Sequence, residues 1–186
     1  ITLSQHIKFL LKKNEHVESI FNCLRLKGQS EIQGIIVICS SHIYVIDHFI
    51  IKKSGEIIAL TNDTKVIINT PFYKVQSIKK RLYVLKPVAL ELYFQNQSSI
   101  FLIFPLQSRH HVYNLCSNKI QQKKQNKKQQ LNKMQSLWIN GMISNFTYLM
   151  YLNDIAGRSI NDLTQYPVFP WVLQQYQEKE INLSNS

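Results

Sequence analysis

The six histidines, His6, His16, His42, His48, His110 and His111, are the first candidates for chemistry in this chain. None stands at metal-ligand spacing from a second ligand, so they read as surface or capping residues and no metal site is expected. The three cysteines, Cys23, Cys39 and Cys116, are odd in number and form no Cys-x-x-Cys pair. That argues against a disulfide framework or a zinc site and fits a reducing cytosol. None of the 5 glycines falls in a Gly-x-Gly-x-x-Gly frame, so nothing is built to cradle a phosphate. No nucleophile stands with a base and an orienting acid, and an enzyme is the class least supported. No catalytic residue and no cofactor is expected.

The chemistry that remains is electrostatic. The net charge is +11, and its placement is uneven. Residues 1–118 carry 14 Lys and Arg against 7 Asp and Glu, residues 119–133 carry 6 Lys and no acid, and residues 134–186 carry 2 Lys and Arg against 4 acids. Such an excess suits an anionic partner, although a basic surface can be merely solvated. Glu91 stands apart, because Ala89, Leu90, Leu92 and Phe94 surround it. It must face water or a cation. Arg158 and Asp162 lie at i,i+4 and would form an ion pair if that segment is helical. Asn145, Asn153 and Asn161 suit backbone bonds that close irregular segments, the alternative being a partner or peptide groove.

These residues need elements to hold them. Residues 1–16 read as a short helix or the remnant of a preceding region, with Leu3, Ile7, Leu10 and Leu11 on one face. From Val17 the pattern is that of strands. Lys27-Gly28-Gln29-Ser30, Ser40-Ser41, Lys52-Lys53-Ser54-Gly55, Lys86-Pro87 and Gln95-Asn96-Gln97-Ser98 separate apolar runs, among them the β-branched run from Ile32 to Cys39. Residues 56–71 are less clear. Ser108 can cap a helix from about Arg109, whose Val112, Leu115, Cys116 and Ile120 would cover an open end of the sheet. About seven strands and one helix are expected.

The Lys/Gln/Asn tract of residues 119–136 reads as a solvated helix tail or a flexible linker. Beyond it the chain turns apolar. One helix is expected from about Ser144, with Gly157 as its stop. Pro167 and Pro170 forbid regular helix in the aromatic stretch that ends at Trp171. The most apolar stretch, Ile35 to Ile51, is broken by Ser40, Ser41, His42, Asp47 and His48, and a bilayer span needs about 20 mostly apolar residues. Neither a span nor a signal peptide is expected.

The segment from Trp138 onward resembles the opening of the BEACH domain. It carries Ile143-Ser144-Asn145-Phe146, Tyr148-Leu149-Met150, Leu152-Asn153, Ala156-Gly157-Arg158-Ser159, Asn161-Asp162-Leu163 and an unbroken Gln165 to Leu173. The preceding region is similar to the PH-like module found before BEACH, on Lys80-Arg81-Leu82-Tyr83, Ala89-Leu90-Glu91-Leu92 and Ser99 to Phe104. Lys80 and Lys86 stand where that family often has Arg, and Lys makes no planar bidentate contact, so a salt bridge from those two positions is in doubt.

The resemblance implies a β-rich α+β chain. A leader of residues 1–16 precedes a PH-like antiparallel β-sandwich over 17–120, capped by its C-terminal helix. A Lys/Gln-rich linker over 121–136 leads to the incomplete, partly helical start of a BEACH domain over 137–186. It implies a non-enzymatic scaffold of vesicle, lysosome or autophagy-related membrane traffic, cytoplasmic or peripheral on intracellular membranes. Its partners would be the remainder of the BEACH domain and trafficking proteins. Trp138, Phe146, Tyr166, Phe169 and Trp171 are the expected core or domain-interface anchors, and the BEACH polar set is Asn145, Asn153, Arg158, Asn161 and Asp162. The rival is a membrane-binding module in which Lys123, Lys124, Lys127 and Lys128 touch anionic lipid. A specific lipid-headgroup site is thinly supported, since the first turn offers Arg25 and Lys27 with Glu31 nearby, and another loop adds Lys52 and Lys53. Nucleic acid is disfavoured because no aromatics interleave the lysine run.

Overall fold

A computed structural model describes residues 11–12, 15–61, 65–120 and 127–170. The leader therefore lies almost wholly outside the described residues, as do Lys123, Lys124 and Trp171.

The apolar runs form strands β1 (Val17–Lys27), β2 (Ser30–Cys39), β3 (His42–Asp47), β4 (Phe49–Ile51), β5 (Ile57–Ala59), β6 (Lys65–Pro71), β7 (Val75–Tyr83), β8 (Lys86–Phe94) and β9 (Ser99–Ile103). Seven of them make one antiparallel sheet in the order β6-β3-β2-β1-β9-β8-β7, while β4 and β5 make a separate hairpin. The expected count was thus right for the main sheet. The extra hairpin fell partly in the unclear stretch because its strands are only three residues each.

Strand β1 turns this sheet into a sandwich. It pairs with β2 along its length but with β9 only over Leu24 to Leu26. The two halves diverge where that pairing stops and close on one core. That core takes Ile36, Ile38, Ile43 and Val45 from one half and Ile78, Leu90, Leu92 and Leu102 from the other. Helix α1 (Ser108–Lys119) seals it with Val112 and Cys116, and Ile120 follows at its end. Gln107, rather than Ser108, holds the N-cap position, and no side chain caps the helix.

Every residue from Gly34 to Cys39 is buried, so β2 does not alternate inside and out. Ile36 and Ile38 enter the sandwich core, while Ile35, Val37 and Cys39 pack with Tyr44, Ile46, Phe49 and Ile57 beneath the β4–β5 hairpin. A strand covered on both faces reads as a continuous β-branched run. Each fully buried Ile contributes about 1.5–3 kcal/mol.

Two helices follow the sandwich: α2 (Lys127–Ile139) and α3 (Asn145–Ile155). Part of the Lys/Gln tract is thus neither a tail of α1 nor a linker but the first turns of α2. Lys, Gln, Leu and Met are good helix formers, and propensity carries this helix where apolar periodicity is faint. Ser144 caps α3, its Oγ accepting from the Thr147 N–H (3.1 Å). Gly157 (φ 84°) then turns the chain in the left-handed region, as its position suggested.

Candidate functional site

Glu91 has its cation. It sits on β8 with 0% exposure, and Arg81 on β7, also buried, donates to it from Nε to Oε2 (2.7 Å). The two strands meet through the tight turn at Val84 and Leu85, which sets Arg81 diagonally across from Glu91. Tyr93 completes this inner cluster. Its hydroxyl accepts from Arg81 Nη2 (2.7 Å) and donates to Glu91 Oε2 (2.6 Å).

The remaining bonds cross to the C-terminal segment. Arg81 Nη2 donates to Asp154 Oδ1 (2.6 Å), and its Nη1 donates to the Asp154 carbonyl at the end of α3 (3.1 Å). Lys79 Nζ reaches Asp154 Oδ2 (2.5 Å) and lies over the Tyr93 ring. Glu91 Oε1 accepts from Ser159 Oγ (2.6 Å) and from Asn161 Nδ2 (2.7 Å), and Asn161 also reaches Ser99 Oγ on β9 (2.7 Å). One guanidinium and one carboxylate, both out of water, thus join sheet to helix. In such a place a fixed network is favourable only when each group is satisfied.

The charge states follow. Burial pulls the Arg81 guanidinium down, but its bonds to Asp154 and Glu91 outweigh that and hold it above its ordinary value. Burial pushes the Asp154 carboxyl up, yet Lys79 and Arg81 together keep it below the ordinary value of 3.8. A depressed carboxylate contributes stability that is complete above its unfolded pKa and lost as pH falls through the folded one. We therefore expect the stabilising effect of Asp154 to be full near pH 6 and to fade below about pH 4. Acid titration of the melting temperature in wild type and Asp154→Asn checks this. The two curves should converge toward low pH, and a constant gap would contradict it.

The BEACH polar set is brought to this segment in separate roles. Asn161 enters the network. Asn153, 7% exposed, donates from Nδ2 to the carbonyls of Leu149 (2.9 Å) and Val168 (2.8 Å) and accepts from the Val168 N–H (2.8 Å). It clips the extended stretch onto α3. Asn153→Ala should cost about 1–3 kcal/mol, read as a drop in melting temperature. Asn145 Oδ1 accepts from Trp138 Nε1 (2.7 Å), joining α2 to α3.

The Arg158–Asp162 ion pair does not form. Gly157 ends helical geometry before Arg158, so an i,i+4 contact is lost. Arg158 Nη1 instead donates to the Tyr166 carbonyl (3.0 Å). Asp162, 1% exposed, accepts at Oδ1 from the Thr164 N–H (2.9 Å) and hydroxyl (2.7 Å), and its buried Oδ2 has no partner among the described residues.

Nor do the four described aromatic anchors lie in a core within this chain. Trp138 stacks on Tyr148 and Phe146 on Phe169, yet Trp138, Phe146, Tyr166 and Phe169 all remain exposed, Phe146 by 64%. Packing in ring pairs satisfies part of each face and leaves the rest open.

Elsewhere two of the four cations expected at a headgroup site, Arg25 and Lys52, are engaged. Arg25 forms a two-pronged pair with Asp47, and Lys52 pairs with Glu56. Lys80, whose salt bridge was in doubt, lies over the Tyr113 ring. Burial pushes the thiols of Cys39 and Cys116 up to about 12, so neither is a thiolate at neutral pH. Among the described residues no helix is long and apolar enough to cross a membrane.

The sequence missed Arg81 as the partner of Glu91. No turn signal marked it: the break read at Lys86-Pro87 falls inside β8, and the turn lies at Val84 and Leu85, so the register could not be counted back from the sequence.

The architecture is a PH-like sandwich closed by a helix and tied by an ionic network to a helical segment. Residues 23–117 match the family model of the PH domain associated with Beige/BEACH, and residues 136–186 match that of the Beige/BEACH domain, so the chain belongs to the PH–BEACH family. It is 30% identical to human WD repeat- and FYVE domain-containing protein 4 over 94% of this chain and 6% of that protein. It is 25% identical to Beige protein homolog 1 of Schizosaccharomyces pombe, over 94% of this chain and 9% of that protein. It is 38% identical to Protein SPIRRIG of Arabidopsis thaliana, over 60% of this chain and 4% of that protein. The chain spans less than a tenth of the length of these relatives.

Proposed function

We propose that the chain is a non-enzymatic scaffold module of membrane traffic, in which the sandwich and the BEACH opening act as one rigid body. The observation that carries this is the network of buried Arg81 and Glu91 with partly exposed Asp154, which spends its bonds on joining the two parts. A catalytic site would leave such groups open to a substrate. The exposed aromatic face of Trp138, Phe146, Tyr166 and Phe169 is the surface that the remainder of the BEACH domain covers, and the composite recruits trafficking proteins in vesicle, lysosome or autophagy-related transport.

The test is to place a protease site within residues 121–126 and cleave the folded chain. The two pieces should co-elute on gel filtration and separate when Arg81→Met is present. Separation without the substitution would remove the rigid-body reading.

A second reading has its own observation. Lys127 and Lys128 open α2, and the first turn holds no acid. Cations there oppose the helix dipole, so terminal electrostatics do not explain them. An anionic membrane surface would. Loss of flotation with anionic vesicles on changing Lys123, Lys124, Lys127 and Lys128 to Gln is the expected result, and unchanged flotation would remove it.

A further inference from the structure

The β7–β8 turn breaks the rule for its type. A two-residue hairpin turn with positive φ at both central positions favours Asn-Gly, because those residues enter the left-handed region at little cost. Here the two positions are Val84 (φ 47°) and Leu85 (φ 62°). A β-branched residue at positive φ is strained. Both side chains point into solvent, Val84 at 55% and Leu85 at 77% exposure, with Leu82 beside them at 43%. The turn thus holds two largely exposed apolar side chains in an unfavourable conformation.

The exposed charge around this tip is mainly positive. Lys86 follows Leu85 directly and is exposed, and no hydrogen bond or ion pair holds its ammonium group among the described residues. Tyr83 donates to Glu31 Oε1 (2.5 Å), which ties the tip to the start of β2 and so sets it beside the β1–β2 turn. That turn carries Lys27, equally without a partner among the described residues. Glu31 and the buried Asp162 are the acids that act on Tyr83, and the Tyr83 hydroxyl already occupies Glu31. Its contact is also the main reason the Tyr83 phenol is pushed up to about 12, so the tie holds at any neutral pH.

We propose that the β7–β8 tip is a membrane-interface wedge, in which Val84 and Leu85 enter the headgroup boundary of an anionic bilayer while Lys27 and Lys86 meet its surface charge. A convex two-residue tip offers no groove to a peptide. A soft interface accepts apolar side chains with flanking ammonium groups, and each lysine near an anionic surface strengthens partition by about fivefold. The proposal is independent of the scaffold reading, and it uses a different site from the lysine tract of α2.

The test is sedimentation of the 186-residue chain with vesicles of phosphatidylcholine alone or with added phosphatidylserine. Three variants accompany wild type: Val84→Asn with Leu85→Gly, Lys27→Gln with Lys86→Gln, and the four-lysine tract variant. The turn variant installs the residues that the backbone prefers, so it should melt at or above the wild-type temperature while binding at least tenfold more weakly. The Lys27/Lys86 variant should lose most of its preference for anionic vesicles. Wild-type binding retained by the turn variant would overturn the proposal, as would no binding by wild type. Loss confined to the tract variant would overturn it too, and would leave the α2 lysines as the membrane contact.

Discussion

Replacing Arg81 with methionine is expected to lower the unfolding free energy by about 3–5 kcal/mol, measured by denaturant titration. The reason lies in what remains. Glu91 is fully buried on β8, and without the guanidinium its charge keeps only hydrogen bonds from Tyr93, Ser159 and Asn161. Asp154 loses one of its two cations as well. An uncompensated buried carboxylate is far more costly than the pair was favourable. Adding Glu91→Gln to Arg81→Met should therefore recover part of the loss, since it removes the charge and keeps a group that can hydrogen-bond. A double variant no more stable than Arg81→Met would show that Glu91 is solvated and that the buried network is misassigned.

The second large effect is expected at Gly34. This residue lies in the middle of β2, paired with Asp47 on β3 and with Cys23 on β1. A Cβ there would stand 2.5 Å from the Ile46 carbonyl oxygen and 3.2 Å from the Asp47 Cα. Both are backbone atoms of a buried neighbouring strand, so no side chain can rotate away and the strands themselves must separate. Gly34→Ala should cost about 3 kcal/mol. Gly28→Ala is the control. Its added Cβ meets open space, and only the positive φ of 60° opposes it, for about 1 kcal/mol. Equal melting temperatures for the two variants would contradict the close approach of β2 and β3.

The fold was legible wherever a turn signal bounded a run of adequate length. Gly28 and Ser40-Ser41 marked the first turns, and the spacing of Val112, Cys116 and Ile120 marked the face of α1. The β4–β5 hairpin escaped because three-residue strands carry no periodicity, and α2 escaped because its polar residues hide a good helix former's propensity behind a linker's composition. Glu91 was legible as a group in need of a cation, but naming Arg81 required strand register. The Arg158–Asp162 pair failed for a reason already present in the chain. A glycine that stops a helix at position 157 also removes the geometry an i,i+4 pair needs. Hydrophobicity marked the aromatic residues as seeking cover, yet it says nothing of where that cover comes from.

A double-mutant cycle between Arg81 on the sheet and Asp154 on α3 bears most directly on the claim that the two parts are one body. Stability would be measured for wild type, Arg81→Met, Asp154→Asn and the pair together. The geometry predicts a coupling of about 2 kcal/mol or more between these two sites. Additive effects, with coupling below about 0.5 kcal/mol, would contradict it, because residues that do not touch contribute independently.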